Sequence, residues 1–238
     1  MLGKKKRRIW LPLAVLLAGT VVAALDARLA VRHYRLETAR VSAPVRIALL
    51  TDLHSCDYGE GQAGLLEAVA AEGPDVVLLG GDIVDDDARM DPERAYTAAS
   101  ALAASWPTYY VSGNHEFWSG EAHAIKTALE ARGVTVLEGA CVPVAVDGQT
   151  IQLCGMDDPA AGEAVWRAQL ARAAAQADPD LFTILLTHRP ERVEAYRGRG
   201  TPMEASGGCL GWSTACSRRI RACFPHTPEG GMSWRAAR

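Results

Sequence analysis

Cysteine is sparse in this chain of 238 residues, and its six cysteines include no closely spaced pair of the kind that holds a structural zinc ion. The sequence therefore does not predict a zinc finger. Cys56, Cys141 and Cys154 are scattered through the middle of the chain, where buried thiols are favoured over a disulfide, although a disulfide can form outside the cytoplasm. The sequence shows no internal repeat either, which excludes solenoid and propeller architectures.

Positive charge is scarce except near the two ends of the chain. The first 40 residues and the residues after Tyr196 are basic, whereas the stretch between them is strongly acidic, and the net charge is -3. An acidic surface repels the phosphate backbone of nucleic acids unless bound metal ions offset its charge. We therefore expect no nucleic-acid partner.

Long apolar runs are also rare, and the one at residues 9–25 is short for a membrane span. It directly follows the cations of residues 4–8, as a signal peptide or a signal anchor does. Small residues at 22–24 suit cleavage by a signal peptidase. Residues 28–40, however, look like an ordinary juxtamembrane segment, which favours an uncleaved, single-pass transmembrane helix. The positive-inside rule places the N-terminus in the cytoplasm and the remaining chain outside. Residues 1–43 are accordingly predicted to be a basic stub, an anchor and a juxtamembrane segment.

Residues 44–196 alternate between apolar runs typical of buried strands and stretches typical of helices. Strands are predicted at 45–50, 76–79, 108–111, 134–137, 142–146, 151–154 and 181–186, and helices at 62–71, 92–104, 121–132 and 162–177. Asp147 and Gly148 are predicted to form a hairpin turn. The alternation predicts an α/β domain with a parallel sheet.

Polar residues directly follow four of the predicted strands. They are Asp52-Leu53-His54, Gly81-Asp82, Gly113-Asn114-His115-Glu116 and Thr187-His188. Because parallel strands end at one edge of a sheet, these residues are expected to meet there. Each motif alone has a plain structural explanation, such as a turn or a helix cap, but their common order favours a metal site.

The donor types suit a pair of divalent ions such as Mn, Fe, Zn or Mg, which accept carboxylate oxygens and imidazole nitrogens as ligands. Asp52 and His54 occupy alternate positions of an extended loop, so together they can grip one ion. Asp82 follows two glycines, which let the backbone approach the metals closely, and it is the natural bridge between both ions.

The remaining candidates differ in chemistry. Asn114 and His188 are neutral donors that suit the second ion without adding negative charge where a phosphate must bind. His115 is better placed to protonate a leaving oxygen than to bind metal. The acidic residues at 85–87 are interpreted as a solvated turn, and those at 157–158 as a turn or helix cap.

These motifs resemble those of the calcineurin-like metallophosphoesterases, and more narrowly those of a membrane-anchored bacterial phosphodiesterase-like branch. The resemblance covers residues 45–196 and rests on Thr51-Asp52-Leu53-His54, Gly80-Gly81-Asp82-Ile83-Val84-Asp85, Ser112-Gly113-Asn114-His115-Glu116, Gly155-Met156-Asp157-Asp158-Pro159 and Thr187-His188-Arg189-Pro190-Glu191. It implies a four-layer α/β/β/α sandwich with two metal ions at the strand ends. By the same resemblance the first ion is held by Asp52, His54 and Asp82, the second by Asp82, Asn114 and His188, and His115 serves the transition-state phosphate or the leaving group.

The C-terminal part of the chain departs from this family pattern. The family has a Gly-His-x-His segment that completes both metal sites, and here the residues after Tyr196 contain a single histidine, His226. When the tail is translated back to codons and read from the third base of each, residues 200–203 permit Gly-His-Ala-His, and the next codon must encode glycine. We therefore interpret residues 197–238 as an out-of-frame tail, and we expect the sandwich to be incomplete there, with open sheet edges.

Together these features predict a membrane-anchored hydrolase that cleaves a phosphomonoester or phosphodiester outside the cytoplasm by two-metal activation of water, impaired by the altered tail. The expected substrate is a phosphorylated small molecule or a lipid or other component of the cell envelope. A non-catalytic, membrane-anchored module that keeps a partial metal site is the alternative. Metal-stimulated turnover of an aryl phosphodiester distinguishes the two.

Overall fold

A computed structural model of the chain describes residues 29–197, 203–207 and 219–224. Its strands are β1 (Ala30–Arg35), β2 (Ile47–Thr51), β3 (Val76–Leu79), β4 (Thr108–Tyr110), β5 (Thr135–Val136), β6 (Ala140–Val146), β7 (Gln149–Gly155), β8 (Phe182–Thr187), β9 (Met203–Gly207) and β10 (Arg219–Phe224). Its helices are α1 (Ala63–Glu72), α2 (Pro92–Ser105), α3 (Asn114–Trp118), α4 (Ala122–Glu130), α5 (Glu163–Gln176) and α6 (Val193–Arg197). Every strand and helix predicted within residues 44–196 is present.

The first sheet has six strands in the order β1-β10-β2-β3-β4-β5. Strands β2 to β5 are parallel, and helices connect them on the way from each strand to the next. All four residues of β3 are buried, because both faces of a parallel sheet are covered. The predicted parallel sheet is therefore confirmed, and its strand ends lie along one edge.

Alternate residues of the strands face different hydrophobic clusters, which fixes the order of the layers. In β2, Leu50 packs against residues of α1, α2 and α4, whereas Leu49 packs against residues of the second sheet. In β8, Ile184 belongs to the cluster between the sheets and Leu185 packs with α5. The two sheets thus lie face to face, with helices on both outer sides.

The second sheet has four strands in the order β6-β7-β8-β9. Its β6-β7 hairpin turns at Asp147 and Gly148, whose φ angles of 46° and 74° are both left-handed, as a tight hairpin turn requires. The register sets Cys141 opposite Cys154, and the two form a disulfide. The expectation of buried thiols is wrong for this pair, because the two cysteines lie equally far from the turn and meet across the hairpin.

The N-terminal boundary of the domain differs from the predicted one. Residues 30–35, which the sequence places in a juxtamembrane segment, form β1, and Leu36 and Val41 behind it pack on the core between the sheets. The predicted anchor at residues 9–25 lies outside the described residues. Within the described ranges, no helix is both long enough and apolar enough to cross a bilayer. The transmembrane helix stays a prediction.

Among the residues described after Tyr196, two strands are present. Strand β9 pairs in parallel with β8, and β10 lies between β1 and β2, antiparallel to β2. The expected open edges are therefore wrong for β8 and β2, since backbone strands occupy both places. Sheet pairing uses main-chain groups that every sequence supplies, so it can form even where the side chains depart from the family pattern. The out-of-frame origin of the tail stays a prediction.

Candidate metal centre

The candidate residues lie in the loops that follow β2, β3, β4 and β8. Asp52, His54 and Asp82 all have left-handed φ angles, of 56°, 48° and 52°, which is unusual for residues other than glycine. Backbone hydrogen bonds hold the first two loops together: Asp52 N donates to Gly81 O over 3.1 Å, and His54 N donates to Asp82 O over 3.0 Å. Such strain persists only where the surrounding structure holds it, and it is often found at functional sites.

Glycines allow the loops after β3 and β4 to touch. A Cβ atom on Gly113 would lie 2.2 Å from Asp82 Oδ1, and one on Gly81 would lie 2.6 Å from Gly113 N. No side chain fits in either place. The glycines therefore bring two loop backbones into contact around the carboxylate of Asp82.

Asp82 and His188 form a buried pair at the centre of the site. His188 Nε2 lies 3.2 Å from Asp82 Oδ2, and His188 Nδ1 donates to Gly80 O over 2.8 Å. Burial raises the pKa of Asp82, but the hydrogen bond and charge of His188 outweigh it and hold the pKa at about 2. Burial lowers the pKa of His188, whereas the hydrogen bond and charge of Asp82 raise it to about 9. Without metal, both groups are charged at neutral pH.

The free energy of unfolding of the metal-free protein is expected to fall as the pH rises from about 6.5 to above 9. The pKa of His188 in the folded protein, about 9, lies above its ordinary value of 6.5. Its protonated imidazole therefore contributes full stability below pH 6.5 and loses that contribution as the pH passes 9. Urea denaturation of chelator-treated protein measures the slope, which His188→Gln should flatten. Equal slopes for the two proteins would contradict a charged pair.

Donor atoms of the predicted first metal site converge. Asp52, His54 and Asp82 each offer one ligand atom, and the three atoms lie within 4.8 Å of one another. One imidazole and two carboxylates suit a divalent cation, so the residues present fit the metal that the motifs predict. Asp82 also reaches His188, and a single carboxylate thus faces both predicted sets of ligands.

His115 lies beside this group, at the start of α3. Its backbone N donates to Asp82 Oδ1 over 2.9 Å, and its Nε2 lies 3.9 Å from Asp82 Oδ2. Its Nδ1 lies 2.6 Å from Asp86 Oδ1, and His54 Nδ1 lies 3.0 Å from Asp85 Oδ2. The interpretation of residues 85–87 as a solvated turn is therefore wrong for Asp85, which is largely buried against His54, whereas Asp86 stays exposed while it pairs with His115.

Glu116 is a residue of the site whose role the sequence did not reveal. Its side chain is fully buried and accepts four backbone N–H groups, those of Asp82, Ile83, Val84 and Gly113, over 2.7 to 3.1 Å. Burial raises its pKa, and the charge of Asp82 adds to that effect. The four bonds tie the loop after β3 to the loop after β4. A glycine followed three residues later by glutamate is the spacing of a helix capping box, which could have indicated this carboxylate.

Replacing Glu116 with glutamine is expected to lower the free energy of unfolding by about 3 kcal/mol, since the amide group would face two buried donors that lose their acceptor. Chemical denaturation measures the loss. Glu130→Gln, on the exposed side of α4, is the matched control and should have no effect. A loss of equal size in both variants would contradict the proposed role of the buried carboxylate.

Asn114 is buried next to His115, and its side chain contacts the guanidinium of Arg189. Arg189 Nη2 donates to Asn114 Oδ1 over 2.7 Å, while Arg189 Nε donates to Asp158 Oδ2 over 2.5 Å. Asp158 also caps a short 3-10 helix by accepting Ala160 N over 2.8 Å, as its interpretation as a cap predicts. Asp157 instead forms buried contacts with Ser112, Gln169 and Lys126. No feature of the sequence distinguishes Arg189 as a site residue, because a charge near a strand end has many ordinary explanations.

The chain matches the family model of the calcineurin-like phosphoesterases over residues 45–209. It is 29% identical over 157 residues to an uncharacterized metallophosphoesterase of Helicobacter pylori (strain J99), which covers 64% of this chain and 40% of that protein. It is 30% identical over 162 residues to phosphodiesterase YaeI of Escherichia coli (strain K12), with coverage of 66% and 57%. A Bos taurus transmembrane protein with metallophosphoesterase domain is 28% identical over 157 residues, with coverage of 61% and 35%.

The chain therefore spans between 35% and 57% of the length of these relatives. Among solved structures, phosphopantetheinyl hydrolase PptH from Mycobacterium tuberculosis superposes with a TM-score of 0.44 and 15% sequence identity, covering 76% of this chain and 89% of that one.

Proposed function

The chain belongs to the calcineurin-like phosphoesterase family, and from that premise we propose that it is a metal-dependent hydrolase of phosphomonoesters or phosphodiesters. The observation that carries the proposal is the group of Asp52, His54 and Asp82, whose ligand atoms lie within 4.8 Å of one another. The name of the E. coli relative, a phosphodiesterase, supports a diester substrate.

Two sets of residues would hold the metal ions. Asp52, His54 and Asp82 would bind one divalent ion, and Asp82, Asn114 and His188 the other, with Mn, Fe, Zn or Mg all suited to these donors. Two such ions supply a stabilising charge for a phosphoryl group and a water acidic enough to attack it. The carboxylate of Asp82 is common to both sets.

His115 is proposed to donate a proton to the leaving oxygen. Its Nδ1 faces Asp86 and its Nε2 is turned to the side of Asp82, where the phosphate would lie. The backbone bond from His115 N to Asp82 Oδ1 fixes the residue in place. The imidazole can therefore deliver a proton without first having to reorient.

We also propose that this chain is impaired. Each set supplies three protein ligands, and the Gly-His-x-His segment that would complete both is missing from the sequence. Incomplete ligation weakens metal binding, so fewer molecules would hold both ions that together make a water acidic enough to attack. The same observation favours the second candidate function, a non-catalytic anchored module with a partial metal site.

The proposed location is the cell membrane, with the domain on the extracytoplasmic side. The basic stub and the apolar run at residues 9–25 support an anchor, and so does the name of the Bos taurus relative. A disulfide between Cys141 and Cys154 fits an oxidising compartment. The substrate is then a phosphorylated small molecule or an envelope lipid, and the acidic middle of the chain argues against nucleic acid.

Turnover of bis(p-nitrophenyl) phosphate and p-nitrophenyl phosphate by the full-length chain, with and without added Mn²⁺, tests the proposal. Metal should stimulate hydrolysis and a chelator should abolish it. With an alkyl phosphodiester, whose leaving oxygen is strongly basic and needs a proton, His115→Ala is expected to lower turnover by about a hundredfold or more while leaving the metal content unchanged, because a general acid contributes that much.

His123→Ala is the matched control, since this histidine lies exposed on α4. Turnover that His115→Ala leaves intact would contradict the role of His115. Metal binding without any turnover would support the non-catalytic module instead.

A further inference from the structure

Arg189 is held rigidly at the edge of the site. Its main chain is fixed by Tyr196, whose buried hydroxyl donates to Arg189 O over 2.7 Å and lies 3.1 Å from Thr187 Oγ1. Its guanidinium is fixed by Asp158, which is only 1% exposed. An arginine bound at both ends loses little conformational entropy when it binds a ligand.

The guanidinium has a donor group to spare. Its Nε bonds to Asp158 and its Nη2 to Asn114, whereas Nη1 has no hydrogen-bond partner within the described part of the chain. A guanidinium has five N–H donors, and the two on Nη1 stay open. The side chain is 32% exposed, which leaves that face room to meet a ligand.

The location of the guanidinium is as important as its unpaired donors. Nη2 lies 2.7 Å from the side chain of Asn114, a proposed ligand of the second ion and the residue before His115. The carboxylates of Asp52, Asp82, Asp85 and Asp86 surround the same edge. A phosphate bound there needs nearby positive charge from the protein as well as from metal.

We propose that Arg189 is a substrate-binding residue, whose Nη1 group binds a non-bridging oxygen of the phosphoryl group and sets that group beside Asn114 and His115. This assignment rests on the proposed phosphoesterase function. Asp158 acts as the positioning residue, because it holds the guanidinium while leaving Nη1 open. Asp158 thus has a second role besides capping the short 3-10 helix.

Binding of inorganic phosphate to the Mn²⁺-loaded full-length chain, measured by calorimetry, tests the assignment without requiring turnover. Arg189→Gln is expected to weaken phosphate binding by about tenfold to a hundredfold, which is the worth of one or two charge-assisted hydrogen bonds. Arg189→Lys keeps the charge but not the fork, and it should weaken binding by about threefold or more. Metal content should match that of the unaltered protein in both variants, whereas the melting temperature should fall in Arg189→Gln, which leaves the buried Asp158 without its cation.

Arg192→Gln is the matched control. It removes the same charge three residues later, where the arginine pairs with Glu163 over 2.7 Å, and it should leave phosphate affinity unchanged. Unaltered affinity in both Arg189 variants would overturn the assignment, as would absence of phosphate binding by the unaltered protein. Metal loss in step with phosphate loss would also overturn it, because Arg189 would then act through Asn114.

The two proposals fail separately. Phosphate binding that depends on Arg189, without hydrolysis of any ester, refutes the enzymatic function and keeps the assignment. Ester hydrolysis that responds to His115→Ala but not to either Arg189 variant refutes the assignment and keeps the enzyme.

Discussion

Replacing residues 197–238 with the offset reading frame, and adding the strand that this frame lacks ahead of its Gly-His-x-His segment, is expected to raise metal-dependent hydrolysis of an aryl phosphate by orders of magnitude. The segment would add one imidazole to each metal site. Fully ligated ions lower the pKa of bound water enough for attack near neutral pH.

The structure has a place for the strand that would lead into the missing segment, the place that β9 now occupies. Strand β9 lies parallel to β8, and its last residue, Gly207, pairs with Thr187, the residue before His188. A loop that leaves such a strand emerges at the edge where the site lies. The backbone needed to carry two histidines to the metals is therefore compatible with the sheet.

Turnover and metal content of the repaired and the unaltered chain measure the effect, and His115→Ala in the repaired chain should remove most of the gain. Equal turnover in the two chains would show that another residue completes the site. Sequencing the locus tests the premise, since an unbroken reading frame with this same tail in close relatives would contradict a frameshift.

Changing Asp82 to asparagine is expected to remove more bound metal than any other single substitution in the domain. Asp82 shares a group of donors with Asp52 and His54, and its Oδ2 also lies 3.2 Å from His188 Nε2. Loss of its charge therefore weakens the binding of both predicted ions at once. It also leaves the protonated His188 without its buried partner.

Elemental analysis of purified protein measures the loss, with Asp52→Asn as the comparison and Asp87→Asn as the control. Asp87 pairs with Arg89 in an exposed turn away from these donors, so its variant should keep its metal. Equal losses from Asp52→Asn and Asp82→Asn would argue against a shared carboxylate.

Local sequence patterns predicted most of the fold, because the period of the apolar residues sets strands and helices. The same patterns placed Asp52, His54 and Asp82 at one edge of a parallel sheet, and the structure brings them together there. His188 instead follows β8 of the second sheet and meets Asp82 from the facing layer, which the sequence patterns did not predict. Their roles as ligands are still predictions.

What the sequence did not reveal depends on contacts between distant segments. Strand β1 pairs with β10, nearly the whole length of the domain away, and no local signal marks such a partner. Glu116 binds main-chain groups, which are the same in every residue, and Arg189 reaches Asp158 across two loops. The disulfide could have been predicted from the hairpin register alone, because the position of the turn sets which residues lie opposite each other.

The four bonds of Glu116 bear on attempts to transplant this site to another protein. A designer who copied the proposed ligands onto the strand ends of a different parallel sheet would reproduce the donor atoms. The hydrogen bonds that hold the two loops in contact would be missing. The left-handed turn at Asp82 would relax, and the carboxylate would point elsewhere. The smallest portable unit therefore includes Gly81, Gly113 and Glu116, none of which is a proposed metal ligand.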